Sequence, residues 1–267
     1  VTFLSLICYG VSIARTSRAW TTPLVHFHRE QTRNQLQLHA SSKKGFAKPE
    51  DTTLKKDDES KHSIYSKPAL YDLAFGYRDF YEEATFLWDC HAKANSGRSP
   101  KSVVELAAGP ARHGLAAVDL LGDLESDNGD GAVIFAVDMS NEMKDYATDL
   151  VQHDLPVDSH SLFQYEVQDM RHFTLPRPVD TAWILLGSLQ HMTTNSDVRA
   201  CFQSCHDNLC EGGTVILELP HPRETFARVD CTRNAWKVPL SDTADGTDAG
   251  AMEIVWGDDG DELDEIA

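Results

Sequence analysis

The chain has 267 residues, 41% of them hydrophobic, which is enough for one large globular domain with its own core. Its formal net charge of -18 disfavours a nucleic-acid substrate, because so acidic a surface repels the phosphate backbone. The charge is unevenly placed: residues 1–49 contain seven of the 24 basic residues and only one of the 42 acidic residues, Glu30. The N-terminal part therefore needs an explanation separate from that of the remaining chain.

A targeting segment explains this basic stretch. Residues 1–14 form an apolar run that is too short to span a bilayer, and basic and small residues follow it before Trp20. Residues 21–49 are rich in Ser, Thr, Arg and Gln, as transit peptides are. The order resembles the bipartite presequences of algal plastid proteins. We predict that residues 1–60 target the protein to a plastid and that residues 61–267 form the folded domain. We expect no stable membrane association of the mature protein. A cytoplasmic or secretory-pathway protein with a disordered tail or membrane anchor is the alternative.

The periodicity changes from residue 65 onward to that of an α/β domain. Residues 65–90 predict a broken helical segment with Gly76 as its hinge. Apolar strands then alternate with helices, which predicts a doubly wound, mostly parallel, Rossmann-like sheet with helices on both faces. The predicted strands are residues 103–107, 133–137, 163–167, 181–186 and 214–219, and the predicted helices are residues 112–121, 141–150 and 196–210. We expect Asn141 and Ser196 to be N-cap residues, and Gly212 with Gly213 to end the last helix.

The C-terminal part is predicted to be incomplete for this fold, which closes with a sixth and a seventh strand. Residues 221–230 are compatible with a helix, residues 235–240 and 252–256 predict an inserted hairpin, and the acidic run from Asp258 predicts a solvated loop. We therefore expect a truncation that leaves the fifth predicted strand as an exposed, aggregation-prone edge. If the segment around Met252 is instead the sixth strand, only the seventh is missing.

The cysteines predict neither a disulfide framework nor a metal site. Cys201, Cys205 and Cys210 with His206 lie at helical spacing, which would suit a metal, but no CxxC pair accompanies them. We interpret them as small, buried side chains of an amphipathic helix.

A strand, a turn of small residues and a helix follow one another in VVELAAGPARHG, residues 103–114. In a parallel sheet, ligands bind beyond the carboxyl ends of the strands, and small residues at Ala107, Gly109 and Ala111 let the backbone approach a ligand. Glu105, just before the turn, is an anionic acceptor pointing at the same crevice. It suits a cationic or amino-bearing ligand better than a pyrophosphate.

Two further strand ends carry polar residues. Asp138 ends the strand IFAVD, where a carboxylate can accept both hydroxyls of a ribose or, alternatively, cap the next helix. Gln168, Asp169 and Met170 follow the next strand, at the usual place for contacts with the edge and face of an adenine. The three strand ends together predict a bound nucleoside.

These motifs resemble those of the class I S-adenosylmethionine-dependent methyltransferases, in the branch that acts on small molecules. The family's acid followed by Gly-x-Gly-x-Gly is matched, with two glycines replaced by alanine, by Glu105, Ala107, Gly109 and Ala111. The Arg112-His113-Gly114 sequence is similar to the continuation in small-molecule branches. The resemblance extends from residue 65 to about residue 222 and includes Tyr71-Asp72 and the LLGSLQH sequence at residues 185–191.

The resemblance implies S-adenosyl-L-methionine as cofactor and assigns residues to its parts. Tyr71 and the turn from Glu105 to Ala111 would face the methionine part, Asp138 the ribose, and Gln168 to Met170 the adenine. Arg112, Met139 and Leu186 are the remaining implied cofactor contacts. His191 would border the methyl-transfer site as a proton acceptor, unless it is a structural histidine.

The implied reaction is direct in-line displacement at the sulfonium methyl carbon, with a small-molecule acceptor and no nucleic-acid partner. No Asn/Asp-Pro-Pro-Tyr motif follows the fourth predicted strand, which argues against adenine and glutamine-amide acceptors. The end of the fifth carries one glutamate, Glu218, rather than the paired glutamates of protein-arginine enzymes. Two other classes stay open, with no prediction of oligomeric state. One is a non-catalytic ligand-binding or regulatory module of the same fold. The other is an NAD(P)-linked oxidoreductase, disfavoured because GxGxxG would require glycine at Arg112.

Overall fold

The structure, a computed structural model, describes residues 2–8, 64–122, 132–220, 234–239 and 250–256. The helices are α1 (Pro68–Phe75), α2 (Phe80–Ala94), α3 (Arg112–Gly122), α4 (Asn141–Asp154) and α5 (Asn195–Asn208). The strands are β1 (Thr2–Cys8), β2 (Ser102–Leu106), β3 (Val133–Asp138), β4 (Phe163–Val167), β5 (Val179–Ile184), β6 (Leu209–Pro220), β7 (Asn234–Pro239) and β8 (Ala251–Trp256). Most of the predicted targeting segment, the predicted helix at residues 221–230 and the predicted acidic loop from Asp258 lie outside the described residues.

Within these ranges, six parallel strands form the main sheet in the order β1-β6-β5-β2-β3-β4. The chain runs outward through β2, β3 and β4 and then returns to the other side of β2 with β5 and β6. Its direction of travel across the sheet therefore reverses between β2 and β5, where Val104 of β2 lies between Phe135 and Ala182. This arrangement confirms the predicted doubly wound, Rossmann-like sheet, and it places a crevice at the carboxyl ends of β2 and β5.

Helices cover both faces of this sheet. Trp183 is fully buried in the apolar cluster that β5 forms with α2, α3 and α4, whereas its neighbour Ala182 belongs to the cluster that includes α5. Successive strand residues point to opposite faces, so a sheet covered on both sides needs strands that are apolar throughout. All five residues of β2 are buried accordingly. Each large apolar side chain buried in this way contributes about 1.5–3 kcal/mol to folding.

The cysteines of α5 are part of this core. Cys201 and Cys205 are buried, which confirms their interpretation as small core side chains, whereas His206 is exposed and Cys210 lies in β6 rather than in the helix. Within the described ranges, no group of three or more His, Cys, Asp or Glu side chains is placed to share a metal ion.

The edge of the sheet differs from the prediction. β1 pairs in parallel with β6, from Thr2 opposite Thr214 to Cys8 opposite Pro220, so the expectation that β6 is an exposed edge is wrong. A short apolar run suits a signal-peptide core and a strand equally well, and only the pairing across the chain distinguishes them. β1 lies within residues 1–60, and the targeting role of that segment stays a prediction.

Three predicted element ends are shifted. Ser140, not Asn141, caps α4 by accepting a hydrogen bond from Met143 N at 3.1 Å. Thr194, not Ser196, caps α5 in the same way. In both cases the cap is the residue with extended backbone whose hydroxyl reaches the third amide of the helix. Gly212 and Gly213 do not end α5, since they lie within β6 where its pairing with β5 shifts register.

The helical segment and the hairpin agree with their predictions. Gly76 separates α1 from α2, and a Cβ atom there would lie 2.9 Å from Asp72 O. β7 and β8 form an antiparallel hairpin outside the main sheet, so the segment around Met252 is not its sixth strand. Trp236 of β7 packs on Phe75 and donates from Nε1 to Ala74 O at 2.9 Å. In the part of the chain that the structure describes, no helix combines the length and apolarity needed to cross a bilayer.

Candidate functional site

A cavity of about 380 Å³ opens at the carboxyl ends of β2, β3, β4 and β5. This is the crevice that the reversal of the sheet order creates, and its size is within the range of small-molecule sites. Ten of the predicted site residues line it: Tyr71, Ala107, Gly109, Asp138, Met139, Gln168, Asp169, Met170, Leu186 and His191. Three others, Glu105, Ala111 and Arg112, do not line this larger cavity.

The turn after β2 adopts the backbone that the glycine-rich pattern requires. Ala107, Gly109 and Ala111 have φ values of 51°, 52° and 55°, in the left-handed region that favours glycine. This conformation costs an L-residue about 1 kcal/mol, so each of the two alanines lowers the free energy of unfolding while the turn keeps the same backbone shape. The turn is fixed by surrounding bonds, among them one from Tyr165 OH to Gly109 O at 2.7 Å. Ala111 is fully buried behind the turn.

Asp138 joins the ends of β2 and β3. Its Oδ2 accepts a hydrogen bond from Gly109 N and its Oδ1 accepts one from Ser140 N, both at 2.9 Å. The alternative role as the cap of α4 belongs to Ser140. Each carboxylate oxygen has a second lone pair, so this cavity-lining side chain can also accept bonds from a ligand's hydroxyls.

The segment after β4 forms another wall of the cavity. The Gln168 amide is tied to the backbone of Thr174 by two hydrogen bonds, so its orientation is fixed. Asp169 accepts hydrogen bonds from Arg171, both from its backbone N and from its guanidinium, which also binds Asp197 at 3.1 Å. These bonds outweigh desolvation and hold the pKa of Asp169 below its usual range, so this wall carries a fixed anion. Met170, 5% exposed, is its apolar part.

Glu105 lies behind the turn, which corrects the expectation that it points into the main crevice. Its Oε2 accepts a hydrogen bond from Gly114 N at 2.7 Å, and its Oε1 lies 3.5 Å from His113 Nδ1. A Cβ atom at Gly114 would lie 3.0 Å from Glu105 Oε2, so glycine permits this close contact. Glu105 lines a smaller neighbouring cavity of about 30 Å³, which shares Tyr71 and other residues with the larger one.

Arg112 also differs from its predicted placement. Its Nε donates to Asp72 Oδ1 at 2.7 Å, and its NH1 donates to Asp154 Oδ2 at 2.9 Å. Tyr146 OH donates to the same Asp72 carboxylate. The 8% exposed Asp72 thus joins α1 to α3 and α4. Arg112 therefore acts on the cavity indirectly, since α1 carries Tyr71.

Tyr71 and His191 are two of the ionisable side chains that line the cavity, beside Tyr65, Asp138 and Asp169. Burial, followed by nearby Tyr65, Glu105 and Asp138, raises the pKa of Tyr71 well above its usual range, so its phenol stays protonated at neutral pH. His191 ends the 3₁₀ turn Ser188–His191 and is exposed, with its ring edge-on to Tyr65 at a centroid distance of 5.8 Å. The imidazole is therefore accessible from solvent and from the cavity.

Sequence reasoning missed several lining residues. Most of them lie close in sequence to predicted site residues. The missed lining residues are Tyr65, Ser140, Met143, Arg171, Ser188 and Met192. The first turn of the helix after Asp138 was a usable signal for Ser140 and Met143. No local signal indicates Tyr65, whose ring packs on those of Tyr71 and His191 in the folded protein.

Neither a protein-family model nor a curated protein sequence matches this chain. The solved structure of DesVI from Streptomyces venezuelae is similar at 21% identity over 66% of this chain and 65% of that one, with a TM-score of 0.52. SAM-bound CalS10, an amino pentose methyltransferase from Micromonospora echinaspora, matches at 16% identity over 78% of this chain and 83% of that one, with a TM-score of 0.51.

The sugar N-methyltransferase KedS8 from Streptoalloteichus sp ATCC 53650 matches at 18% identity over 79% of this chain and 83% of that one, with a TM-score of 0.52. This chain spans 65% of the length of DesVI. At these identities the similarity concerns the fold: the chain has the Rossmann-like fold found in the methyltransferases CalS10 and KedS8.

Proposed function

We propose that this protein is a methyltransferase that binds S-adenosyl-L-methionine in the larger cavity and transfers its methyl group to a small molecule. One observation carries the proposal: the left-handed turn after β2, the Asp138 carboxylate and the segment after β4 converge on a single cavity of about 380 Å³. The three parts of the cavity correspond to the three parts of S-adenosyl-L-methionine, which are an amino acid, a ribose and an adenine. The structure of CalS10, which has the same fold, contains SAM.

The residues present fit the parts of this cofactor. Asp138 offers a fixed carboxylate to the ribose hydroxyls, because its orientation is set by the amides of Gly109 and Ser140. Met170 offers an apolar surface to the adenine. The backbone of the turn at residues 107–109 and the Tyr71 ring line the side left for the methionine part. Glu105 lies behind that turn, where its carboxylate accepts a hydrogen bond from Gly114 N.

The chemistry needs little help from the protein. The cofactor supplies a methyl group on a positively charged sulfur, which is already a good leaving group. Tyr71, Leu186 and Met192 give the cavity part of its apolar lining, while the strand-end turns would hold the ligand in one orientation. We assign to His191 the role of accepting the proton that an attacking amine or hydroxyl loses, because a neutral imidazole at the opening can do so and the protonated Tyr71 phenol cannot.

A small-molecule acceptor with an amine or hydroxyl nucleophile fits the chain best. The net charge of -18 opposes a nucleic acid, and two proteins of the same fold act on an amino pentose and on a sugar nitrogen. The plastid location is a separate proposal that rests on the composition of residues 1–49.

Transfer of a labelled methyl group tests the proposal although the acceptor is unidentified. The purified chain is incubated with methyl-labelled S-adenosyl-L-methionine and a cell extract separated into small molecules, protein and nucleic acid. We expect label in the small-molecule fraction, reduced by Asp138→Ala and unchanged by Asp149→Ala, an exposed position on α4. Label only in protein or nucleic acid would contradict the proposed acceptor class, and no transfer to any fraction would contradict the proposed activity.

A further inference from the structure

A chain of charged side chains runs behind the larger cavity, with His113 at its centre. The imidazole is 2% exposed and lies between two carboxylates: Nε2 donates to Glu83 Oε2 at 2.7 Å, and Nδ1 lies 3.5 Å from Glu105 Oε1. The Phe80 ring packs edge-on against it, with centroids 5.0 Å apart. Each ring nitrogen faces an anionic acceptor. A position between two carboxylates favours the imidazole that is protonated on both nitrogens, because that form places a positive charge beside each of them.

The charge balance around His113 agrees with this geometry. Burial disfavours the imidazolium and lowers its pKa, but Glu105 and Glu83 together outweigh burial and raise the pKa of His113 to about 9. The pKa of Glu83 is in turn lowered, since the bonds from His113 and Arg78 outweigh its own desolvation. Among the described residues, the charged groups that face His113 are therefore Glu105 from β2 and Glu83 from α2, with Arg78 behind Glu83.

The same chain of charges reaches the turn after β5. Arg78 Nε donates to Glu83 Oε2 at 3.0 Å, and its NH2 donates to Glu218 Oε1 at 3.3 Å. The second oxygen of Glu218 accepts a hydrogen bond from Leu186 N at 3.1 Å. Leu186 has a φ of 55°, which is a strained conformation for leucine and persists only where surrounding bonds hold it. Glu218 supplies one of these bonds.

We propose that His113, as an imidazolium, is a positioning residue for the cofactor site: it joins Glu105, behind the turn after β2, to the ion pairs that hold Leu186 in the turn after β5. The inference rests on the proposed function, because both turns line the cavity assigned to S-adenosyl-L-methionine. His113 itself lines only the smaller cavity behind the turn. It acts on the ligand through Glu105 and the backbone.

Loss of the His113 proton would disturb both turns. The buried Glu105 carboxylate would keep the Gly114 amide but lose the cation beside it, and Glu83 would depend on Arg78 alone. An uncompensated buried charge is costly, so the turn would shift to admit water or the strand end would move. Either change alters the wall against which the methionine part is to bind.

Calorimetric titration measures the affinity of the full chain for S-adenosyl-L-methionine from neutral pH to above pH 9. The proteins compared are the wild type, His113→Gln and His91→Gln. His91 is a matched control, since it is a fully buried histidine on α2 that bonds to Thr214 Oγ1 at 2.8 Å and lines neither cavity. The amino group of the ligand ionises in the same pH range. The quantity compared is therefore the ratio of variant to wild-type affinity at each pH.

We expect His113→Gln to bind about tenfold more weakly than the wild type at neutral pH, because Gln keeps a hydrogen-bond donor but removes the charge. The ratio should approach one above pH 9, where the wild type has lost the same charge, while His91→Gln follows the wild type throughout. Equal affinity of His113→Gln and wild type at neutral pH, or a ratio that does not change with pH, would overturn the inference. A wild type that binds at no pH would contradict the proposed function instead.

A second variant keeps the inference testable if His113→Gln does not fold. Glu83 has a side chain that is 32% exposed, so Glu83→Gln is a milder change that leaves His113 in place. It removes one of the two carboxylates that stabilise the imidazolium. The fall of affinity with rising pH should then begin at a lower pH than in the wild type, and an unchanged midpoint would overturn the inference.

Discussion

The Asp138 carboxylate accepts a hydrogen bond from the Gly109 amide, with Oδ2 and N 2.9 Å apart. This bond joins the end of β3 to the turn after β2, so the residue proposed to bind the ribose also sets the position of the turn proposed to contact the methionine part. The two parts of the site are therefore coupled, and a change at either residue is expected to affect both.

Replacement of Asp138 tests this coupling. Asp138→Ala should weaken binding of S-adenosyl-L-methionine by about 1–3 kcal/mol, because it removes a charged acceptor and frees the Gly109 amide. The measurement is calorimetric titration, with Asp149→Ala as an exposed acidic control on α4. If Asp138→Ala and Asp149→Ala bind equally well, Asp138 does not contact the ligand.

The alanines of the turn after β2 give a prediction on stability. Ala107→Gly should raise the free energy of unfolding by up to about 1 kcal/mol, because Ala107 has a φ of 51° that glycine adopts without strain. Ala108→Gly is the matched control, since Ala108 is buried and its φ is not positive. The free energy of unfolding of this variant should fall by about 1 kcal/mol. Urea denaturation measures both. A loss of stability in Ala107→Gly as large as in Ala108→Gly would contradict the presence of strain at Ala107.

The two ion pairs of Arg112 should differ in strength. Asp72 is buried and also accepts from Tyr146, whereas the Asp154 side chain is 47% exposed. A double-mutant cycle of Asp72→Asn with Arg112→Gln is expected to give a coupling of about 1–3 kcal/mol, and the cycle with Asp154→Asn about 0.5 kcal/mol or less. Chemical denaturation supplies the free energies. Equal couplings would show that Asp72 does not hold α1 in place.

The charge on His113 makes stability depend on pH. Its pKa of about 9 in the folded protein lies above the unfolded value of 6.5, so its contribution is complete below pH 6.5 and is lost as the pH rises through about 9. The wild type should lose about 3 kcal/mol of unfolding free energy across that range relative to His113→Gln. Denaturation curves at several pH values measure this difference. A difference between the two proteins that stays constant with pH would show that the His113 proton is not linked to folding.

The strand ends of the site were predictable from the sequence because their signals are local. An apolar strand followed by small residues, as at Ala107 and Gly109, or by an acid, as at Asp138, places those residues at the carboxyl edge of a parallel sheet. The bonding partners of Glu105 and Arg112 were not predictable in this way. Both lie beside the same turn, and whether a charge faces the cavity or a buried partner depends on how α1, α2 and α4 pack around that turn.

The pairing of β1 with β6 illustrates the same limit at the level of the sheet. The two strands are separated by most of the chain, and the apolar pattern of residues 1–14 is equally typical of a signal-peptide core.

The N-caps were predicted within two residues of their observed positions. Ser140 precedes Asn141 by one residue and Thr194 precedes Ser196 by two, and all four are residue types that can cap a helix.

Parallel calorimetric titration of the folded chain with S-adenosyl-L-methionine, S-adenosylhomocysteine and NAD(P)H tests the central claim most directly. We predict binding of the first two ligands, weakened together in Asp138→Ala, and no binding of the nicotinamide cofactor. Binding of NAD(P)H alone, or of none of the three ligands, would contradict the assignment of the cavity.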